Sequence, residues 1–129
     1  MNPRILLDDY ERALQRLSEA VSSSHSTDLE RAGCIQYFEF CFELAWKTIK
    51  KIAEQDGVTE IVSPRAALKY AFGAKLIAEE DVWLTMLDAR NAMSHTYNAD
   101  EALEMYKKLP EFNTALSQLL NTLKMLPER

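Results

Sequence analysis

Between Asp88 and Asn98 the chain reads DARNAMSHTYN, which brings a guanidinium (Arg90), an amide (Asn91), a hydroxyl (Ser94), an imidazole (His95) and a phenol (Tyr97) into one short stretch. An arginine holds the non-bridging oxygens of a phosphate through its fork of donors. An imidazole, with an ordinary pKa of about 6.5, gives or takes a proton near neutrality. Together they meet the minimum for metal-free cleavage of RNA: a base for the 2′-hydroxyl and a positive group for the charge that develops on phosphorus-bound oxygen. Asn91 and Ser94 are of types that bind a ligand or orient such groups. Asn91 and His95 stand four residues apart and lie side by side on a helix, whereas Arg90 and His95, five apart, diverge by about 140°. That pair meets on one phosphate only across a groove, at a frayed helix end, or from two copies of the chain. A plainer reading stays open, since positive groups near a helix C-terminus interact favourably with its dipole. Likewise a tyrosine such as Tyr97 is commonly half-buried with its hydroxyl at the surface.

The helix that positions this stretch begins near Glu79. Trp83, Met86 and Leu87 lie within about 60° of Arg90 on a helical wheel, and Ser94 and Tyr97 fall on the same side. An apolar stripe thus turns polar without changing direction. Buried arginine and histidine are costly when unpartnered, so these groups must satisfy one another, reach a second subunit or line a cleft.

Four further segments read as helices. Leu7, Tyr10, Leu14, Leu17 and Val21 recur at three and four residues, the spacing of one helical face. After SSSHST, where His25 is expected to be exposed, Ser26 or Thr27 can cap a second helix from roughly Asp28 to Asp56, ended by Gly57. Its stripe is Ile35, Phe38, Phe42, Ala45, Trp46, Ile49 and Ala53, with Tyr37, Cys41 and Leu44 beside it. That arc is wide enough for a second packed surface such as a dimer contact, or for a central helix with several neighbours. Glu39, Glu43, Lys47 and Lys50 form a charged face of the kind that is usually only solvated. VSPRAALKYAFG, with a serine cap, proline in the first turn and glycine at the far end, predicts a short helix from about Pro64 to Phe72. A last helix opens with Asn98 and Glu101 as a capping box and runs through Leu103, Tyr106, Leu109, Phe112, Leu116, Leu119 and Leu123; Pro110 is expected to kink or divide it. The expected architecture is all-α: an antiparallel up-and-down four-helix bundle with a short extra helix, as one domain over residues 1–129.

Composition agrees. Only three glycines and four prolines occur in 129 residues, which disfavours sandwiches and barrels. The net charge of -5 gives the chain as a whole no attraction for phosphate backbones or anionic membranes, so any nucleic-acid contact must come from a local patch or a partner. MNPRILLDDYERALQ lacks the apolar region of a signal peptide, and no apolar run approaches spanning length; a soluble, cytoplasmic protein is expected. Cys34 and Cys41, about 10 Å apart along one helix, are too distant for a disulfide and read as small buried hydrophobes. Two distant histidines without a cysteine pair suggest no metal site, and nothing calls for a cofactor.

FELAWKTIK from Phe42 to Lys50, SPRAALKYAFGAKLI, and VWLTMLDARNAMSHTY from Val82 to Tyr97 resemble the HEPN superfamily over nearly the whole chain. The likeness is strongest to its small bacterial branch, the nucleotidyltransferase substrate-binding proteins related to the HepT toxins. The resemblance implies a helical bundle that forms a homodimer and assembles, within a hetero-oligomer, with a minimal nucleotidyltransferase. It further implies metal-independent endoribonuclease chemistry with Arg90 and His95 as the catalytic pair, and Tyr97 as an acceptor of AMP through which the partner silences the toxin. The older label implies instead a non-catalytic subunit that presents a substrate to the nucleotidyltransferase, with Arg90, Asn91 and His95 binding a ligand.

Overall fold

The computed structural model describes residues 3–93 and 98–127. Five helices follow in order: α1 (Pro3–Val21), α2 (Asp28–Gln55), α3 (Pro64–Gly73), α4 (Glu80–Met93) and α5 (Ala99–Lys124). The described residues contain no strand. Cross-helix bonds fix the directions. Tyr10 donates to the Leu116 carbonyl at 2.5 Å, Ser18 donates to Asn113, and Lys124 reaches Glu11, so numbers rise along α1 as they fall along α5. Since α1 and α2 form a hairpin across residues 22–27, and α4 precedes α5 in the same way, the four long helices run up and down, with α3 as the short extra one.

Local chemistry explains where the helices start and stop. Thr27, not Ser26, caps α2: its hydroxyl accepts from the Glu30 amide while Glu30 accepts from the Thr27 amide, a reciprocal box. Gly57 follows the helix at φ 87°, a conformation that glycine adopts without steric cost. Ser63 caps α3 ahead of Pro64 as expected, but the left-handed residue beyond it is Lys75, at φ 62°, while Gly73 is still helical. Asn98 accepts from the amides of both Asp100 and Glu101 at the start of α5. Pro110 does not divide that helix. It lies exposed, and the surrounding turns of α5 bury Leu109, Phe112, Leu116 and Leu119, so packing on both sides offsets the lost backbone bond.

The core is one cluster to which all five helices contribute. Phe38 stacks near Phe112 with ring centres 5.1 Å apart, and Phe42 touches both Phe38 and Trp83, tying α2 to α5 and α4. On α1 the buried apolar set is Leu6, Tyr10, Leu14 and Leu17; Leu7 and Val21, placed in the stripe by sequence spacing, sit at its edge. Cys34 and Cys41 are buried free thiols, and burial pushes the Cys41 thiol up to about 12. His25 is not exposed. Its Nε2 lies 2.7 Å from the Ala20 carbonyl and its ring meets Tyr106 edge-on, so the α1–α2 connection is folded back against α5. Among the described residues no helix is long and apolar enough to cross a membrane.

Candidate functional site

Arg90 sits on the last described turn of α4, on the same side as Trp83, Met86 and Leu87, which are all buried. Those three side chains fasten that face of α4 to the core, and the stripe therefore delivers Arg90 to the surface of α2. There its Nη2 donates to Glu43 Oε1 at 2.5 Å, and its Nη1 donates to Asn91 Oδ1 at 3.1 Å. Both partners of the ion pair are about one-third exposed, 32% for Arg90 and 31% for Glu43. The cost of desolvation is thus partial, and a charge-assisted hydrogen bond across two helices offsets it.

Glu43 is the residue that sequence reasoning missed. Its spacing from Lys47 has the look of a solvated i,i+4 pair, and Lys47 does stand 3.8 Å away. The carboxylate has two other commitments, however: Arg90 on one oxygen and, on Oε2, the Trp46 indole N–H at 3.1 Å. Trp46 accordingly lies at the margin of the core rather than in its middle, half-buried with its N–H on the charged face. The available signal was a tryptophan three residues from a glutamate, one turn apart, where the apolar stripe of α2 borders its charged face. Glu39, one turn earlier, completes the group. Burial raises its carboxyl pKa, the Arg90 charge pulls it back down, and the like charge of Glu43 raises it again.

Of the five candidate residues, Arg90 and Asn91 are brought into contact. Ser94, His95 and Tyr97 lie outside the described residues. Met93, at the end of α4, and Ala99, at the start of α5, line a groove of about 160 Å³ with Ile35, Glu39 and Leu103. Farther round α2, on its solvent side, Phe40 is 51% exposed, and Tyr37, expected beside the core stripe, is 39% exposed. At the other end of the bundle a larger cleft of about 450 Å³ opens between the start of α1 and the ends of α2, α3 and α5. Leu7, Ile52 and Leu76 line its wall, with Arg4, Asp56 and Tyr70 among its polar groups. Among the described residues no three His, Cys, Asp or Glu side chains gather to hold a metal.

Residues 6–125 match the family described as nucleotidyltransferase substrate binding protein like. A protein of Haemophilus influenzae named Probable ribonuclease HepT is 34% identical over 97 residues, a match that spans 72% of this chain and 66% of that protein's length. The fold superposes on a Thermus thermophilus protein with a TM-score of 0.81 at 30% identity, covering 89% of this chain and 98% of the other. It also superposes on HI0074 from Haemophilus influenzae, described as having the fold of a substrate binding domain of a nucleotidyltransferase. There the TM-score is 0.79 at 28% identity, over 96% of this chain and all of that one. With a match spanning nearly its full length, the chain belongs to the nucleotidyltransferase substrate-binding protein family.

Proposed function

We propose that this chain is the partner subunit of a minimal nucleotidyltransferase and works as a HEPN toxin, a latent metal-independent endoribonuclease. The observation that carries the reading is Arg90, fixed by Glu43 and Asn91 at the surface of α2 in register with an R-x4-H motif. In the reaction Arg90 stabilises the phosphate as charge builds on its oxygens, and His95 moves the proton of the 2′-hydroxyl. Asn91 and Ser94 orient the pair. The relative's name, Probable ribonuclease HepT, points the same way. Two copies meet through the exposed strip of α2 that carries Tyr37 and Phe40, a homodimer that brings two motifs together and resolves the divergence of Arg90 and His95 on one helix. The partner regulates the toxin by transferring AMP to Tyr97: the phenol oxygen attacks the α-phosphorus of ATP, pyrophosphate leaves, and the phenol proton passes to solvent.

The test is intact mass after co-expression with the neighbouring nucleotidyltransferase and ATP, with Tyr97→Phe as control, beside RNA cleavage by the unmodified chain and by His95→Ala. Adenylate added to the parent and absent from the control, with cleavage lost only in His95→Ala, is the expected result. Cleavage or growth inhibition that survives in His95→Ala would sink the catalytic role.

A second reading is favoured by the family's description and by the cleft of about 450 Å³ at the far end of the bundle: a non-catalytic subunit that presents a small substrate to the nucleotidyltransferase. In that case the purified chain cuts no RNA, and the nucleotidyltransferase gains activity on a ligand only when this chain is present.

A further inference from the structure

We propose that Glu43, oriented by Trp46, is a positioning residue that presents Arg90 to a phosphate of single-stranded RNA. For its ligand this rests on the ribonuclease reading above. A guanidinium has five N–H donors. The two described bonds, to Glu43 and to Asn91, engage one donor on each terminal nitrogen and leave three for a ligand. Without such contacts the long arginine side chain would sample many rotamers, and a phosphate would have to order it on arrival.

Glu43 can impose that order only if it is itself held, and Trp46 holds it. The indole is rigid, packed against the core, and donates to Oε2, which turns Oε1 toward Arg90. A ring on the core margin thus fixes a carboxylate, and the carboxylate fixes a guanidinium on another helix. Lys47, 3.8 Å from the same carboxylate, offsets part of its charge, while Glu39 adds a second carboxyl near Arg90 whose burial favours its neutral form. The arrangement differs from simple competition, in which Glu43 would occupy Arg90 and exclude the phosphate. The two possibilities have opposite signs on removing the carboxylate charge: a competitor's loss strengthens anion binding, whereas a positioner's loss weakens it.

The experiment measures binding of a fluorescein-labelled 2′-O-methyl oligoribonucleotide, which lacks the attacking hydroxyl, to the full chain and to Glu43→Gln, Trp46→Phe and Arg90→Ala, with thermal melts to show that each is folded. Loss of a charge-assisted bond predicts about tenfold weaker binding for Glu43→Gln, and a severalfold loss for Trp46→Phe, which changes no charge. Unchanged or tighter binding in folded Glu43→Gln overturns the proposal, as does a parent chain that binds no better than Arg90→Ala. Should Glu43→Gln melt early, Trp46→Phe decides alone: a severalfold loss supports positioning and unchanged binding overturns it. A parent that binds through Arg90 and Glu43 yet leaves unmodified RNA uncut supports the proposal and instead defeats the ribonuclease reading.

Discussion

Among the described residues, Arg90 pairs with Glu43 at 2.5 Å and Lys124 with Glu11 at 2.6 Å, each across helices distant in sequence and at nearly the same distance. The first is about one-third exposed, and its carboxylate is gripped from behind by an indole N–H. The second is about half exposed, 48% and 47%, with a flexible ammonium as donor. Distance alone says they are equivalent. Their surroundings say otherwise, because a point charge on a free stem orders nothing beyond itself, whereas a planar fork held at two points presents its remaining donors in a fixed direction.

The comparison breaks most visibly in activity. Arg90→Ala is expected to lower RNA cleavage by about 10²- to 10³-fold, the usual scale for removing one group that stabilises transition-state charge. Lys124→Ala is expected to leave single-turnover cleavage within about twofold and to cost at most about 1 kcal/mol in urea unfolding. Equal losses of cleavage in the two variants would erase the distinction. Next in size is Tyr10→Phe, near the Lys124 end. It removes a fully buried hydroxyl from the Leu116 carbonyl and is expected to destabilise by about 1–2 kcal/mol without touching cleavage, more than the visible ion pair beside it contributes.

The smallest effect lies in the pH dependence at the Arg90 end. Burial raises the Glu39 pKa above its unfolded value, so between the two values the folded chain holds more protons than the unfolded one. Stability therefore falls as pH rises through that window and stays lower above it. Glu39→Gln is expected to be slightly more stable than the parent at neutral pH and equal to it below the carboxylate range, in paired denaturation curves. A loss of stability at neutrality would mean that the attraction of Arg90 outweighs burial. Thiol labelling gives an independent check on the core: Cys41, buried and with its pKa pushed up to about 12, is expected to react with maleimide only at the rate of unfolding.

Much of the fold was legible in the sequence because caps and stripes are short-range signals. Thr27 with Glu30, Ser63 with Pro64, Gly57 and the α4 stripe each depend on residues within a turn or two. What spacing could not show is where one helix surface lands on another. Glu43 read as solvated because its partner lies 47 residues away, across a contact set by Phe42 and Trp83. His25 read as exposed because Tyr106, which covers it, belongs to the last helix. Pro110 read as a break because the packing that tolerates it comes from other elements. The candidate site divides along the same line: Arg90 and Asn91 were found from their types and register, and the carboxylate that orders Arg90 only from the packing.

The bond from Tyr10 to the Leu116 carbonyl spans 106 residues, and it bears on how the chain is made. A ribosome delivers α1 and α2 long before α5, yet Phe38 needs Phe112 and Tyr10 needs Leu116 to complete their surroundings. Throughout that interval the hairpin of α1 and α2 carries an uncovered aromatic face, a natural landing place for chaperones. The Arg90–Glu43 contact joins segments that both emerge earlier, but its helix α4 also packs on α5, so the site gains its full support only after translation has passed the last helix. The surroundings of Arg90 are therefore complete only once α5 has emerged and packed on α4.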